Sequence, residues 1–109
     1  MSLKTILFTD ENSSQKSETE LGSAVTRASR FFDSGDVHAG FWECFEGSFT
    51  IESHAVNELC HILEGEAEIA HADGSVCSIK AGDSFFITKG TKMTWTVKKY
   101  LKKTYMVSP

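Results

Sequence analysis

The chain has 109 residues with 15 acidic and 11 basic side chains, a formal net charge of −4, and 11% aromatic residues, including eight Phe and two Trp. That length suits one domain, able to bury roughly two-thirds of its unfolded surface without a metal or disulfide staple. The acidic balance argues against a nucleic-acid partner, and no apolar run approaches the ~20 residues needed to span a bilayer.

From the front, Met1 to Phe8 lacks the length and small-residue cleavage site of a secretory signal. Leu3 to Thr9 reads as a short strand at a sheet edge. Asp10 to Glu20 (DENSSQKSETE) holds no apolar residue and reads as a solvated loop or mobile arm. Ser23 to Phe32 spaces its apolar residues irregularly, as a single helical turn or an irregular segment would. From Val37 onward the pattern is β. Phe41 to Phe45 (FWECF) is an aromatic-rich strand, and Glu46-Gly47-Ser48 is a turn signal. Phe49 to Glu52, Leu59 to Leu63 (ended by Gly65) and Glu66 to Ala70 follow as short strands. His71-Ala72-Asp73-Gly74 ends in a hairpin dipeptide. Val76 to Ile79, Ser84 to Thr88, Met93 to Val97 and Lys103 to Val107 complete the set, with turns at Ala81-Gly82-Asp83 and Lys89-Gly90. Short strands at this spacing, with no long helix, indicate an all-β sandwich or barrel. Cys44, Cys60 and Cys77 cannot all pair within one chain and form no C-x-x-C, so they read as reduced, mostly buried thiols of a cytoplasmic protein.

The candidate chemistry lies in Gly47-x4-Glu52-x-His54-x3-Glu58-x6-Gly65. On a strand, Glu52 and His54 would share a face, and a turn near 55–57 would fold Glu58 back to meet them. Two carboxylates and an imidazole are a hard donor set suited to Mn²⁺, Fe²⁺ or Zn²⁺, with water completing the shell. The plainer reading is that these residues line a solvated strand edge.

That segment resembles motif one of the cupin superfamily, G-x5-H-x-H-x3,4-E-x6-G, with Glu52, His54 and Glu58 in the three ligand places and Gly47 one residue closer. Gly82 and Gly90 match the glycines of the second motif, while Thr88 stands in its proline place and Met93 in its histidine place. Within the superfamily, Phe41-Trp42-Glu43-Cys44, Glu58 to Gly65 and Thr94 to Val97 are most similar to small cupins grouped with (S)-ureidoglycine aminohydrolase and the ethanolamine-utilisation cupins. The aminohydrolase begins its site with E-x-H, as Glu52-Ser53-His54 does, but takes a glutamine as fourth ligand. Gln15, in the polar arm, is the only glutamine here. The resemblance implies one cupin domain over residues 1–109 with its barrel in 37–107, built as a jelly roll of two antiparallel sheets. It further implies a homodimer, formed by sheet packing or by a lent strand such as Leu3 to Phe8.

Trp42, Phe86, Met93 and Trp95 are candidates to wall a pocket for a planar ligand, although every small barrel fills its interior with large side chains. Met93 as a thioether ligand would suit copper better than Mn²⁺, and core packing explains it as well. His61, out of phase with Glu58, is expected on the opposite face, and His71 in a solvated turn. His38 is left open by the sequence. Lys98, Lys99, Lys102 and Lys103 bind an anion or form a charged edge that blocks strand pairing. Two functions of different class remain. One is a metal-dependent enzyme on a small polar metabolite of amide, ureido or organic-acid type, held by Glu52, His54 and Glu58. The other is a metal-free cupin that binds a small molecule without catalysis. A hydrolase acting through Cys60 is a third.

Overall fold

The computed structural model describes residues 5–9 and 15–109. Its strands are β1 (Gln15–Leu21), β2 (Ala24–Asp33), β3 (His38–Ile51), β4 (Asn57–His71), β5 (Val76–Lys80), β6 (Ser84–Ile87) and β7 (Met93–Ser108). All pairings are antiparallel, in the order β1-β2-β3-β7-β4-β5, with β6 on the first part of β4. The fold is the expected all-β cupin type, with its strands joined in one continuous hydrogen-bonded ladder. Residues from β2 through β7 meet on one inner face, where Cys44, Cys60, Ile62, Met93, Trp95, Val97 and Leu101 are almost wholly buried.

The continuity comes from long, bent strands. β3, β4 and β7 run 14, 15 and 16 residues. The stops expected at Gly47 and Gly65 are β-bulges instead, with register shifts at Phe45/Gly47 and Gly65/Glu68. Each glycine admits close backbone approach. A Cβ on Gly47 would lie 2.6 Å from the Ala24 Cα, and one on Gly65, whose φ is 82°, would collide with the Tyr100 carbonyl oxygen. A bulge and a turn ask the same of glycine, so sequence alone confuses them. The turns after β4, β5 and β6 are as expected. At the first, Asp73 Oδ1 accepts from the Ser75 backbone at 2.8 Å and from its hydroxyl at 2.6 Å.

The front of the chain departs from expectation. Residues 15–20 belong to β1, not a loop, because β2 offers them a full antiparallel partner and Thr26 Oγ1 donates to the Thr19 carbonyl at 3.1 Å. Tertiary pairing here overrides composition. Residues 10–14 lie outside the described residues. Ser23 to Phe32 is not a helical turn or an irregular segment. It forms strand β2 apart from Ser23, and a register shift between Arg30 and Phe32 disguises its alternation. Residues 5–9 form no strand. Phe8 stacks on Phe31 at 4.6 Å and meets Phe41 edge-on at 5.8 Å, so this segment lies against its own sheet.

Candidate functional site

Alternation along three strands aims one set of side chains at a common interior. On β4 these are Glu58, Cys60 and Ile62; on β7 they are Leu101, Lys103, Tyr105 and Val107; on β3, His38, Trp42 and Cys44. Lys103 lies opposite Trp42 on one side and Ile62 on the other. Its side chain reaches along β4 so that Nζ donates to Glu58 Oε2 at 2.7 Å and approaches Cys60 Sγ at 3.6 Å. The ammonium also lies 4.6 Å from the Trp42 ring centre and 5.0 Å from that of Trp95. Glu58 is 7% exposed and Lys103 6%.

His54 joins this pair from the loop after β3. Its backbone is pinned to the β6–β7 loop, with His54 N–H donating to Thr91 O at 2.9 Å and Gly90 N–H to His54 O at 2.8 Å. The imidazole Nε2 lies 2.9 Å from Glu58 Oε1, and the Cys60 thiol donates to Glu58 Oε2 at 3.1 Å. Burial pushes the Glu58 carboxyl up, but the Lys103 charge and the hydrogen bonds from Lys103 and Cys60 outweigh it and leave it below its ordinary value. Lys103 mirrors this: burial disfavours its charge, Glu58 more than offsets that, and the net shift is upward. The pair is therefore ionised at neutral pH. Burial pushes Cys60 to about 12 and Cys44 to about 11, so both stay thiols, which argues against a nucleophilic Cys60.

A cavity of about 220 Å³ opens beside these groups, lined by His38, Trp42, Phe49, His54, Trp95 and Tyr105 among others, including Glu58, Met93 and Lys103. Burial raises the Tyr105 hydroxyl above its ordinary value. His38 Nδ1 is buried with no hydrogen-bond partner among the described residues. A second cleft of about 240 Å³ lies between β4 and β5, but its charged rim, Glu66, Glu68, Lys80 and Lys98, is solvent-exposed.

Three of the four expected wall residues, Trp42, Met93 and Trp95, line the 220 Å³ cavity. Phe86 does not: it is 59% exposed on the outer face, and its neighbour Phe85 packs against Trp95 at 6.1 Å. The expected metal trio is only partly assembled. His54 and Glu58 meet, but β3 ends at Ile51, so strand alternation does not carry on to Glu52. That side chain is 77% exposed and pairs with Lys92 at 3.2 Å. Among the described residues, no three His, Cys, Asp or Glu side chains are placed to hold a metal ion. Both Glu58 oxygens are engaged, and an ammonium stands where a second cation would meet repulsion. This donor set does not fit a metal. The group that alternation could have revealed is Lys103, which shares the phase of Leu101 and Val107 and is not on a charged edge. His61 is on the outer face as expected, 2.7 Å from Ser84 Oγ, and His71 closes β4.

A curled antiparallel sheet with a polar cluster at an apolar cavity defines a small cupin. The chain belongs to the EutQ-like cupin domain family, whose model matches residues 32–105. Among solved structures it is similar to the EutQ protein of Clostridium difficile, at 23% identity and a TM-score of 0.73, covering 94% of this chain and 80% of that one. A Rhizobium leguminosarum protein of unknown function matches at 19% identity and TM-score 0.72 over 100% of this chain and 99% of that one. A DUF861-family protein of Thermotoga maritima is 34% identical over 60% of this chain and 73% of that one, with a TM-score of 0.56. No curated protein matches. Among the described residues, no helix is long and apolar enough to cross a membrane.

Proposed function

We propose that this cupin binds a small molecule in the cavity beside Trp42 and Trp95 and does so without a bound metal. One observation carries the reading: the buried Lys103 ammonium satisfies Glu58 at 2.7 Å, supplying internally the positive charge that a metal would bring. The size of the cavity supports a small ligand, since an apolar cavity of about 150 Å³ already holds benzene. The alternative, a metal-dependent enzyme on an amide or ureido compound, has less support because Glu52 is turned away. Free cysteines, two of them buried, fit a reducing compartment such as the cytoplasm.

A second copy of the chain is the proposed partner. Register aligns Phe32, Ala39, Met106, Leu59 and Phe86 in one row across five strands, and all but Ala39 are exposed. An uncharged stripe of this kind suits sheet-on-sheet packing. Light scattering on wild type and Met106→Glu should give a dimer and a monomer; a monomeric wild type overturns this part.

Elemental analysis of tag-free protein, together with an NMR fragment screen read at the Trp indole N–H signals, tests the main reading. We expect metal far below one per chain and indole shifts with small aromatic fragments. Near-stoichiometric Mn, Fe, Zn or Cu, lost in His54→Ala, would overturn it.

A further inference from the structure

The ionised Glu58 carboxylate can only accept hydrogen bonds, and it takes three: from His54 Nε2, from Lys103 Nζ and from the Cys60 thiol. His54 must therefore carry its hydrogen on Nε2 towards Glu58. With that hydrogen in place, a ring uncharged overall presents its lone pair at Nδ1, for which the described residues offer no partner. His38 also lines the cavity, and its Nδ1 is buried with no hydrogen-bond partner among the described residues. An unsatisfied buried nitrogen is costly, so a ligand that meets it gains affinity.

The remaining polar groups offer little to a charged ligand. Lys103 directs its hydrogens at Glu58 and Cys60 and lies against two indole faces. Its charge is cancelled by Glu58, so the pair presents no net charge to a guest. The walls are aromatic: Trp42 and Phe49 lie 6.0 Å apart edge-on, and Phe49 stacks with Trp95 at 5.9 Å. From these features we infer that the cavity selects an uncharged, planar, single-ring molecule bearing an O–H or N–H donor, which His54 Nδ1 accepts. A hydroxyl suits the site best, because its one hydrogen goes to His54 while its oxygen can still accept a hydrogen bond. This rests on the cavity being the ligand site, as proposed above.

The test uses phenol, anisole and benzoate as probes, titrated by NMR into wild type, His54→Ala and His38→Leu. Phenol and anisole share a ring, and only phenol donates. Loss of one such hydrogen bond, about 1–1.5 kcal/mol, corresponds to roughly tenfold in affinity. Wild type should prefer phenol to anisole by about that factor and bind benzoate more weakly than either. His54→Ala should remove the preference while leaving anisole unchanged. His38→Leu should leave the preference in place, because the hydroxyl hydrogen goes to His54 and the oxygen of either probe can accept from His38; it serves if His54→Ala does not fold. Equal binding of phenol and anisole, a preference surviving in His54→Ala or lost in a folded His38→Leu, or tighter binding of benzoate overturns the inference and leaves the ligand site standing. Failure of all three probes to bind overturns both.

Discussion

Two stretches of the β4–β7 ladder are buried by opposite means. Near Gly65 the interior is dry: Ile62, Val97, Leu101 and Cys44 are 0–1% exposed. A few residues away, Glu58 and Lys103 are nearly as buried, yet both are charged. At the dry end each large aliphatic side chain contributes about 1.5–3 kcal/mol by leaving water. At the polar end the cost of removing two charges from water offsets most of their attraction. Burial alone therefore does not separate scaffold from site. What distinguishes the polar end is a set of groups that stability does not require, next to an open cavity.

The largest effect should come from breaking the ion pair on one side. Lys103→Met leaves a buried carboxylate without its cationic partner and should cost about 3–5 kcal/mol, while Glu58→Leu/Lys103→Met should recover most of it. Urea unfolding at several pH values sharpens this. In wild type the Glu58 pKa is lowered on folding, so its contribution is full above the unfolded value, about 4.3, and fades as pH falls through the folded value. Lys103 is raised, so its contribution is full below about 10.4 and fades as pH rises through its folded value. In Lys103→Met, burial acts on Glu58 with its ammonium partner gone and raises the folded pKa. The penalty is then full at neutral pH and disappears on acidification towards pH 4. Equal destabilisation at pH 4 and pH 7 would mean that Lys103 matters for packing, not charge.

Leu101→Ala makes the opposite kind of damage two residues away. Leu101 is 0% exposed, and its loss should cost about 2–4 kcal/mol through lost burial and a residual cavity. No ionisable partner is involved, so the loss should be the same at pH 5 and pH 8. A marked pH dependence would show that the dry end is coupled to the pair, against the division drawn here.

The cupin class was legible because paired glycines, a hairpin dipeptide and short alternating runs survive in the sequence. The strand lengths were not, since Gly47 and Gly65 serve bulges as well as they would serve turns. Half of the polar cluster was legible: His54 and Glu58 follow from motif spacing. Glu52 was misplaced because alternation was carried past the end of β3 at Ile51. Lys103 was hidden among Lys98, Lys99 and Lys102, where a run of like charges reads as surface. Only its phase with Leu101 and Val107, visible once β7 is one strand, turns it inward.

Gly65→Ala tests the bulge within the dry stretch. With φ at 82° and the Tyr100 carbonyl in the way, the backbone must shift, at a cost of about 1–3 kcal/mol. Because the strain falls on the ladder on the dry side of the bulge, affinity for cavity probes should change little in the folded fraction. Lost probe binding in protein that remains folded would show that the bulge sets the position of the polar end.

The smallest effect is expected at Glu52, and it decides most about how the site is drawn. The Lys92 ion pair is exposed on both sides, 77% for Glu52 and 54% for Lys92, and such pairs are screened by solvent. Glu52→Ala should therefore change stability by less than about 0.5 kcal/mol, measurable as an unmoved urea midpoint. It should also leave the indole N–H shifts caused by cavity probes unchanged, because no part of Glu52 lines the cavity. His54→Ala, two residues along the same loop, removes a hydrogen bond to buried Glu58 and should alter both readouts. If Glu52→Ala instead weakened probe binding as much as His54→Ala, the loop would close over the cavity in solution, and Glu52 would have to be counted with the polar cluster.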